Sequence, residues 1–349
     1  MIDRQRRMLL QAGAIACGSL ALPLSARAAG KVVATTYPGS FEEAYRAVLL
    51  PLYQKQSGSS VVLTPLLGVD QVAKIAASRG NPPYDAVMFD EGPLYNAIKA
   101  GIIQKFPADK SKHFADLPPV FQGTGGLGPV VTVQVCGIAY NPKKVKTPPT
   151  SWADLWRPEY KGRVGMTGIG SSLGAGFLAE ISKMKGGSEK NAEPGFAMLR
   201  ELVPNIGALA PSPGALAALF QQGQIDIAPN YFNNVETLRS KGVDIAFAMP
   251  ATGGIMIRTS MHIVAGTAEP QAALDYIDAL ISPDVQRGLE KAPYNMVPTN
   301  GKVAYTGETA RQIAKDFQDL SKKLVLNDWA AIQEQRPAWI ERFNKEVKL

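Results

Sequence analysis

The sequence predicts a two-lobed α/β protein with a cleft between the lobes, on three observations. Strand-like and helix-periodic segments alternate along the chain. The alternation starts afresh after Asn141-Pro142, and two long β-rich runs, Val130 to Tyr140 and Ile255 to Val264, sit where the chain would pass between the two units. Repeated βα units imply mostly parallel strands covered by helices. Ligands of such sheets sit beyond the carboxyl ends of the strands.

In the first unit Lys31 to Thr36 reads as a strand, and Phe41, Ala44, Tyr45, Val48, Leu49 and Leu52 then fall on one helical face. Ser57-Gly58 turns the chain into a strand beginning at Val61-Val62-Leu63. A helix over Val69 to Ser78 ends at Gly80 and Pro82-Pro83, Tyr84 to Phe89 is a strand, and Pro93 to Ala100 is a helix closed by Gly101. In the second unit Ser151-Trp152-Ala153-Asp154 has the form of a capping box. Arg163 to Met166 then reads as a strand and Ser172 to Met184 as a helix. Ser212-Pro213 caps a helix over Gly214 to Gln222, followed by a strand at Ile225 to Ala228 and a helix over Asn234 to Lys241.

The first 28 residues follow a different logic. Arg4-Gln5-Arg6-Arg7, an apolar run from Met8 to Leu24 and the small-x-small trio Ala26-Arg27-Ala28 describe an export signal, with the mature chain starting near Ala29. The Arg6-Arg7 pair suggests the twin-arginine route; Gln5 and Gln11 depart from its usual flanks and leave the general secretory route open. A membrane anchor fits less well, because Gln11, several glycines and Pro23 interrupt a run that is short for a span. Cys17 is a poor lipoprotein site, with Ala14 where leucine is expected. The implied location is outside the cytoplasmic membrane.

Composition narrows the function further. Residues 1–28 carry four arginines and one aspartate, so the remaining chain holds 33 basic against 29 acidic side chains. No basic block with interleaved aromatics occurs, which argues against nucleic acid as a partner. Cys136, in the β-rich run, reads as a small core residue, and no disulfide can form within the mature chain. The two histidines, His113 and His262, are too far apart in sequence for an ordinary zinc site; a calcium or iron site built from oxygens stays open, but no metal ligands are singled out and no cofactor is expected.

Several motifs carry competing meanings. Gly123-Thr124-Gly125-Gly126-Leu127-Gly128 spells a dinucleotide fingerprint, but Pro129 and a β run follow where a helix must open, so it reads as a loop. Gly170-Ser171-Ser172-Leu173-Gly174 spells a nucleophile elbow between a strand and a helix, and Asp226 and His262 follow in the chain order of a hydrolase triad. The alternatives are a turn whose N–H groups and hydroxyls receive a polar or anionic ligand, or simply a helix start. His262 lies within a β run, where a triad histidine would sit on a loop, which favours the ligand-cradling turn. Asp90-Glu91 is either an N-cap with a first-turn acid or a carboxylate at the cleft able to hold an ammonium group. Tyr37 and Tyr231 each follow a strand and can offer a face and a hydroxyl. Arg258 alternates in register with Ser260 and His262, and either clamps a carboxylate or phosphonate or pairs with a surface acid.

The segment Thr150-Ser151-Trp152-Ala153-Asp154-Leu155-Trp156-Arg157-Pro158-Glu159-Tyr160-Lys161-Gly162 resembles the hallmark of periplasmic solute-binding proteins of the spermidine/putrescine type. Gln222 to Ala228, Met249 to Gly254 and Ala273 to Pro283 occur in the order expected for the rest of that family, and the resemblance spans nearly the whole mature chain. It implies a type II-like periplasmic-binding-protein fold without catalytic activity. It also implies a monomer that hands a small solute to the membrane permease of an ABC importer. By the same resemblance one lobe comprises about 31–134 and 257–304, and the other 138–254 with 305–349 packed back on it. Tyr37, Asp90, Ser171, Ser172 and Tyr231 fall at the family's binding positions.

The departures from that pattern bear on the ligand. Aligned on Gly253-Gly254, Ile257 stands where polyamine binders hold a tryptophan and Thr259 where they hold an aspartate, and the acids of the second-lobe turn are missing. A diammonium ligand without opposing carboxylates meets a desolvation cost of several kcal/mol per unpaired charge. The reading therefore favours an anionic or zwitterionic solute held by Tyr37, Asp90, Ser171, Ser172, Tyr231, Arg258 and Thr259, with a polyamine as the alternative ligand. A secreted serine hydrolase using Ser172, Asp226 and His262 is the rival from another class.

Overall fold

A computed structural model describes residues 31–78 and 80–347; the export segment expected at 1–28 lies outside them. Ten strands form one continuous, curled sheet in the order β2-β1-β3-β9-β4-β7-β5-β6, with β10 added to β9 and β8 to β4. The strands are β1 (Lys31–Thr36), β2 (Ser60–Pro65), β3 (Ala86–Asp90), β4 (Val130–Tyr140), β5 (Val164–Thr167), β6 (Ile206–Ala210), β7 (Ile227–Tyr231), β8 (Ala246–Ala248), β9 (Gly254–Ile263) and β10 (Leu324–Leu326). Each end of the sheet is a parallel βα unit, β2-β1-β3 on one side and β7-β5-β6 on the other. The two predicted long runs are β4 and β9, and they pair antiparallel from Val130↔Ser260 to Cys136↔Ile255. This is the two-lobed α/β architecture the pattern predicts.

Register decides where the site lies. β3 runs antiparallel to β9 and ends with Asp90 opposite Thr259, while β7 runs antiparallel to β4 and ends with Tyr231 opposite Cys136. Both lobes therefore direct their strand carboxyl ends at the middle of the β4–β9 pair. Alternation along β3 serves both faces of the sheet: Ala86 and Met88 join the main core, and Val87 and Phe89 a smaller cluster with Ile75 and Tyr84.

The helices are α1 (Ser40–Ala44), α2 (Leu50–Ser57), α3 (Gly68–Ala77), α4 (Glu91–Lys99), α5 (Ser172–Lys183), α6 (Glu193–Leu202), α7 (Pro213–Gln221), α8 (Phe232–Ser240), α9 (Pro270–Leu280), α10 (Pro283–Glu290), α11 (Phe317–Lys323) and α12 (Trp329–Glu346). The expected single helix after β1 is interrupted by a π turn over Tyr45–Leu49. Pro51 lies just beyond it and has no N–H to continue the ladder. The buried face shifts accordingly: Phe41, Ala44, Tyr45, Leu49 and Tyr53 are buried, while Val48 and Leu52 are half-buried. The Ser151 capping box forms as read, with Asp154 accepting from Thr150 and Ser151 N–H, but it opens a 3₁₀ turn over Trp152–Trp156. The strand expected at Ile225–Ala228 is displaced to Ile227–Tyr231, so Tyr231 ends a strand instead of following one.

The C-terminal region touches both lobes. β10 runs parallel to the start of β9, at Leu324↔Gly254 to Leu326↔Met256. Arg342 of α12 forms a two-pronged ion pair with Glu193 of α6, while Gln333 of the same helix donates to Asn96 of α4. The packing of α12 is thus not confined to the second lobe: it reaches α4 of the first lobe as well.

Candidate functional site

A cavity of about 140 Å³ lies where the facing strand ends meet, lined from both lobes. Tyr37 follows β1, Gly68 and Val69 open α3, and Asp90 ends β3; across from them are the Gly170-Ser171-Ser172 turn, the Pro211 to Gly214 turn and Tyr231. Gln134 from the crossing strand β4 and Arg336 from α12 complete the wall. Side-chain hydrogen bonds bridge the lobes beside it, with Ser40 donating to Asn234 at 2.7 Å and Asn233 donating to Ser40 at 3.0 Å.

Asp90 is the acid of this cavity. Its backbone N–H donates to the Tyr37 hydroxyl at 2.8 Å, fixing the tyrosine beside it. The Asp90 carboxylate is buried and its Oδ1 has no hydrogen-bond partner. Burial raises its pKa, and the Ser172 hydroxyl, the Arg336 charge and Tyr37 only partly offset this. Tyr37 itself is pushed well above its ordinary range by burial first and the Asp90 charge second.

The two serines of the elbow motif have different fates. Ser171 is the N-cap of α5: its Oγ accepts from Gly174 N–H at 3.0 Å and also contacts Thr167 Oγ1 at 2.7 Å. Ser172 Oγ is buried and has no partner of normal geometry, although it lies close enough to Asp90 to hold the carboxyl down. A buried hydroxyl and a buried carboxylate oxygen left unpaired in one cavity are an energetic cost that a polar ligand would relieve.

Arg258 and Thr259, expected at the cleft, stand behind it. Arg258 Nε donates to Glu91 at 2.7 Å, and its Nη1 donates to the Val120 carbonyl at 3.3 Å. Its acid partner is thus Glu91, which is almost fully buried, rather than a surface acid. The cause is strand parity: Arg258 points to the side of β9 opposite Thr259. Thr259 is fully buried and accepts from Gln134 Nε2 at 2.9 Å, so it touches the cavity wall only through Gln134.

The hydrolase arrangement is not assembled. Asp226 is engaged by Arg163 through Nε at 2.7 Å and Nη2 at 2.9 Å. His262 is fully buried between the Leu127 carbonyl, 3.0 Å from Nδ1, and the Ser260 hydroxyl, 2.7 Å from Nε2. Burial lowers its pKa to about 4. Neither Asp226 nor His262 lines the cavity that Ser172 faces.

Sequence reasoning missed Arg336. It is buried and donates from Nε to the Ile169 carbonyl at 3.2 Å, from Nη2 to the Gly170 carbonyl at 2.6 Å and from Nη1 to Gln333 at 2.9 Å. Glycine at position 92 makes room for it: a Cβ there would overlap Arg336 Nη1 and lie 3.1 Å from Ser172 Oγ. A signal was present. Trp329, Ile332, Arg336, Trp339 and Phe343 are spaced three and four apart, so a cation occupies one position of an apolar helical stripe.

Two α/β lobes joined by paired crossing strands, with a polar-ended cavity at their facing strand ends, define a two-lobed binding protein. The chain belongs to the bacterial extracellular solute-binding protein family, whose model matches residues 81–329. It is similar to the spermidine/putrescine-binding periplasmic protein of Escherichia coli K12, 27% identical over 285 residues covering 78% of this chain and 80% of that one. It is also similar to the gamma-aminobutyric acid-binding protein of Pseudomonas aeruginosa, 24% identical over 288 residues and 79% of each chain. A solved periplasmic binding protein from Actinobacillus pleuropneumoniae with fructose-6-phosphate bound shares the fold, with a TM-score of 0.76, 20% identity, and coverage of 92% of this chain and 99% of that one.

Proposed function

We propose that the protein is the solute-binding component of an ABC importer, working in the periplasm after removal of residues 1–28, and that its solute is a small anionic or zwitterionic organic molecule. The observation that carries this reading is the unpaired Asp90 Oδ1 beside the unpaired Ser172 Oγ in a cavity lined from both lobes. An ammonium group satisfies Asp90, Tyr37 and Tyr231 offer ring faces beside it, and Ser172 donates or accepts next to the carboxylate. Among the described lining residues Asp90 is the one acid and Arg336 the one base, so a molecule with ammonium groups at both ends would leave one of them unpaired. The gamma-aminobutyric acid-binding relative supports a zwitterion, and the spermidine/putrescine-binding relative supports the ammonium half.

Transport follows from closure. A solute touching both lobes favours the closed form by as much as it binds that form more tightly, and the permease reads the outer faces of the closed lobes. Thermal unfolding of the chain without residues 1–28 against polyamines, amino acids, carboxylates, phosphonates and sugars tests the reading, because a solute that binds only the folded state raises Tm. The expected result is a rise with a carboxylate, phosphonate or amino acid, accompanied by compaction in X-ray scattering. A rise with spermidine or putrescine alone would replace the ligand class, and hydrolysis of generic esters abolished by Ser172→Ala would replace the function.

A further inference from the structure

We propose that Arg336 is the anion-binding residue of the cavity and sets its selectivity: the solute is a short amino acid or aminoalkyl phosphonate whose ammonium meets Asp90 and whose acid group meets Arg336. The inference rests on the binding-protein reading above and names the substrate class of the same site.

The geometry supports it in three ways. First, an arginine carries five N–H donors, and the bonds from Nε, Nη1 and Nη2 to Ile169, Gln333 and Gly170 leave one N–H on each terminal nitrogen. Those two form the fork that grips a carboxylate or phosphonate. Second, the same three bonds hold the guanidinium in place, so the ligand meets a preorganised group. Third, Arg336 and Asp90 are both buried in one cavity and feel each other's charge, yet among the described residues no ion pair joins them and Asp90 Oδ1 has no hydrogen-bond partner. Two opposite buried charges held apart are completed by a molecule that presents the complementary charges in reverse order.

Scale also follows from the contacts. Arg336 Nη1 and Ser172 Oγ meet at the missing side chain of Gly92, and both act on the Asp90 carboxylate, Ser172 as a hydrogen-bonding group and Arg336 as a charge. The ammonium and acid of the ligand are therefore only a few carbons apart, and Ser172 is placed to contact either end. Arg336 also joins the lobes, since it comes from α12, binds the β5–α5 turn and lies over the first turn of α4. A ligand acid held by it thus couples binding to closure.

The test is isothermal titration of the chain without residues 1–28 with three matched four-carbon probes: 4-aminobutyrate, butylamine and 1,4-diaminobutane, with shorter ω-amino acids and aminoalkyl phosphonates as the length series. The expected result is a zwitterion that binds at least about 10-fold more tightly than its matched amine or diamine, the advantage disappearing in Arg336→Gln and partly returning in Arg336→Lys. A purely structural arginine would weaken all probes alike. Diamine binding equal to or tighter than that of the zwitterion, unchanged in Arg336→Gln, overturns the assignment and leaves the binding-protein reading intact. Binding of none of these probes also overturns it, whereas the broader thermal panel then decides the function independently. Should Arg336→Gln fail to fold, the wild-type ranking of zwitterion over amine and diamine decides the question alone.

Discussion

Two acid–arginine couples stand at the start of α4, one residue apart, and they behave in opposite ways. Glu91 and Arg258, behind the cavity, form a direct ion pair at 2.7 Å reinforced by a second contact from Arg258 N–H at 3.3 Å. Asp90 and Arg336, in the cavity, stay apart, and Asp90 Oδ1 remains unpaired. The closed couple has spent its charges on the fold. The open couple leaves a buried carboxylate oxygen without a hydrogen-bond partner, the place we propose a ligand completes. Two adjacent acids thus differ in whether an arginine is packed within ion-pair reach of each.

The largest effect that sharpens this contrast is expected from Arg258→Ala, which strands the Glu91 carboxylate. It should lower stability at pH 8 by about 3 kcal/mol or more in chemical denaturation, while the folded fraction still binds solute. Unchanged stability would mean that the pair is not structural.

The second effect is a pH dependence. Burial raises Glu91 from 4.5 to about 7 in spite of Arg258. The folded chain keeps this proton to higher pH than the unfolded chain does, so the contribution is full below about pH 4.5 and is lost as pH rises to about 7. The Tm of Glu91→Gln, compared with wild type across pH 4 to 8, should diverge within that window and run parallel outside it. A constant difference would show that Glu91 titrates normally.

Asp90→Asn probes the open couple. Removing a buried carboxylate that lacks a full set of partners should leave the unliganded Tm unchanged or raised, while affinity for an ammonium-bearing solute falls by about 1.5–3 kcal/mol. A lowered unliganded Tm with intact affinity would make Asp90 a structural residue like its neighbour.

The smallest contrast lies within the elbow turn. Ser171→Ala removes the α5 cap and should cost about 1 kcal/mol of stability. Ser172→Ala should change stability by no more than about 0.5 kcal/mol. Its effect should appear in titration, as a loss of solute affinity of about 0.5–1.5 kcal/mol. Reversal of the two outcomes would exchange their roles.

Most of the fold was legible because its signals are local. The alternation of β-rich and helix-periodic segments, the Ser151 capping box, the Ser212 cap and the two crossing runs all depend on residues within a few positions of each other. The π turn after α1 and the displaced end of β7 were less legible, since both depend on how neighbouring backbone groups compete for hydrogen bonds. Of the candidate site, Tyr37, Asp90, Ser171, Ser172 and Tyr231 line the cavity, because each lies at or just after the carboxyl end of a strand. Arg258 and Thr259 do not, although both lie on the correct strand.

The sequence by itself determined the two α/β units, their connection by long strands and the positions of the loops at the strand ends, because hydrophobic period and capping chemistry specify these over short distances. Only the tertiary structure decided which charges are available. The pairing of Arg258 with Glu91 joins residues 167 positions apart. Arg336 reaches the cavity because β10 pairs with β9 and α12 then packs across both lobes. A charge becomes structural or functional according to what is packed beside it, and that depends on contacts between residues far apart in the chain.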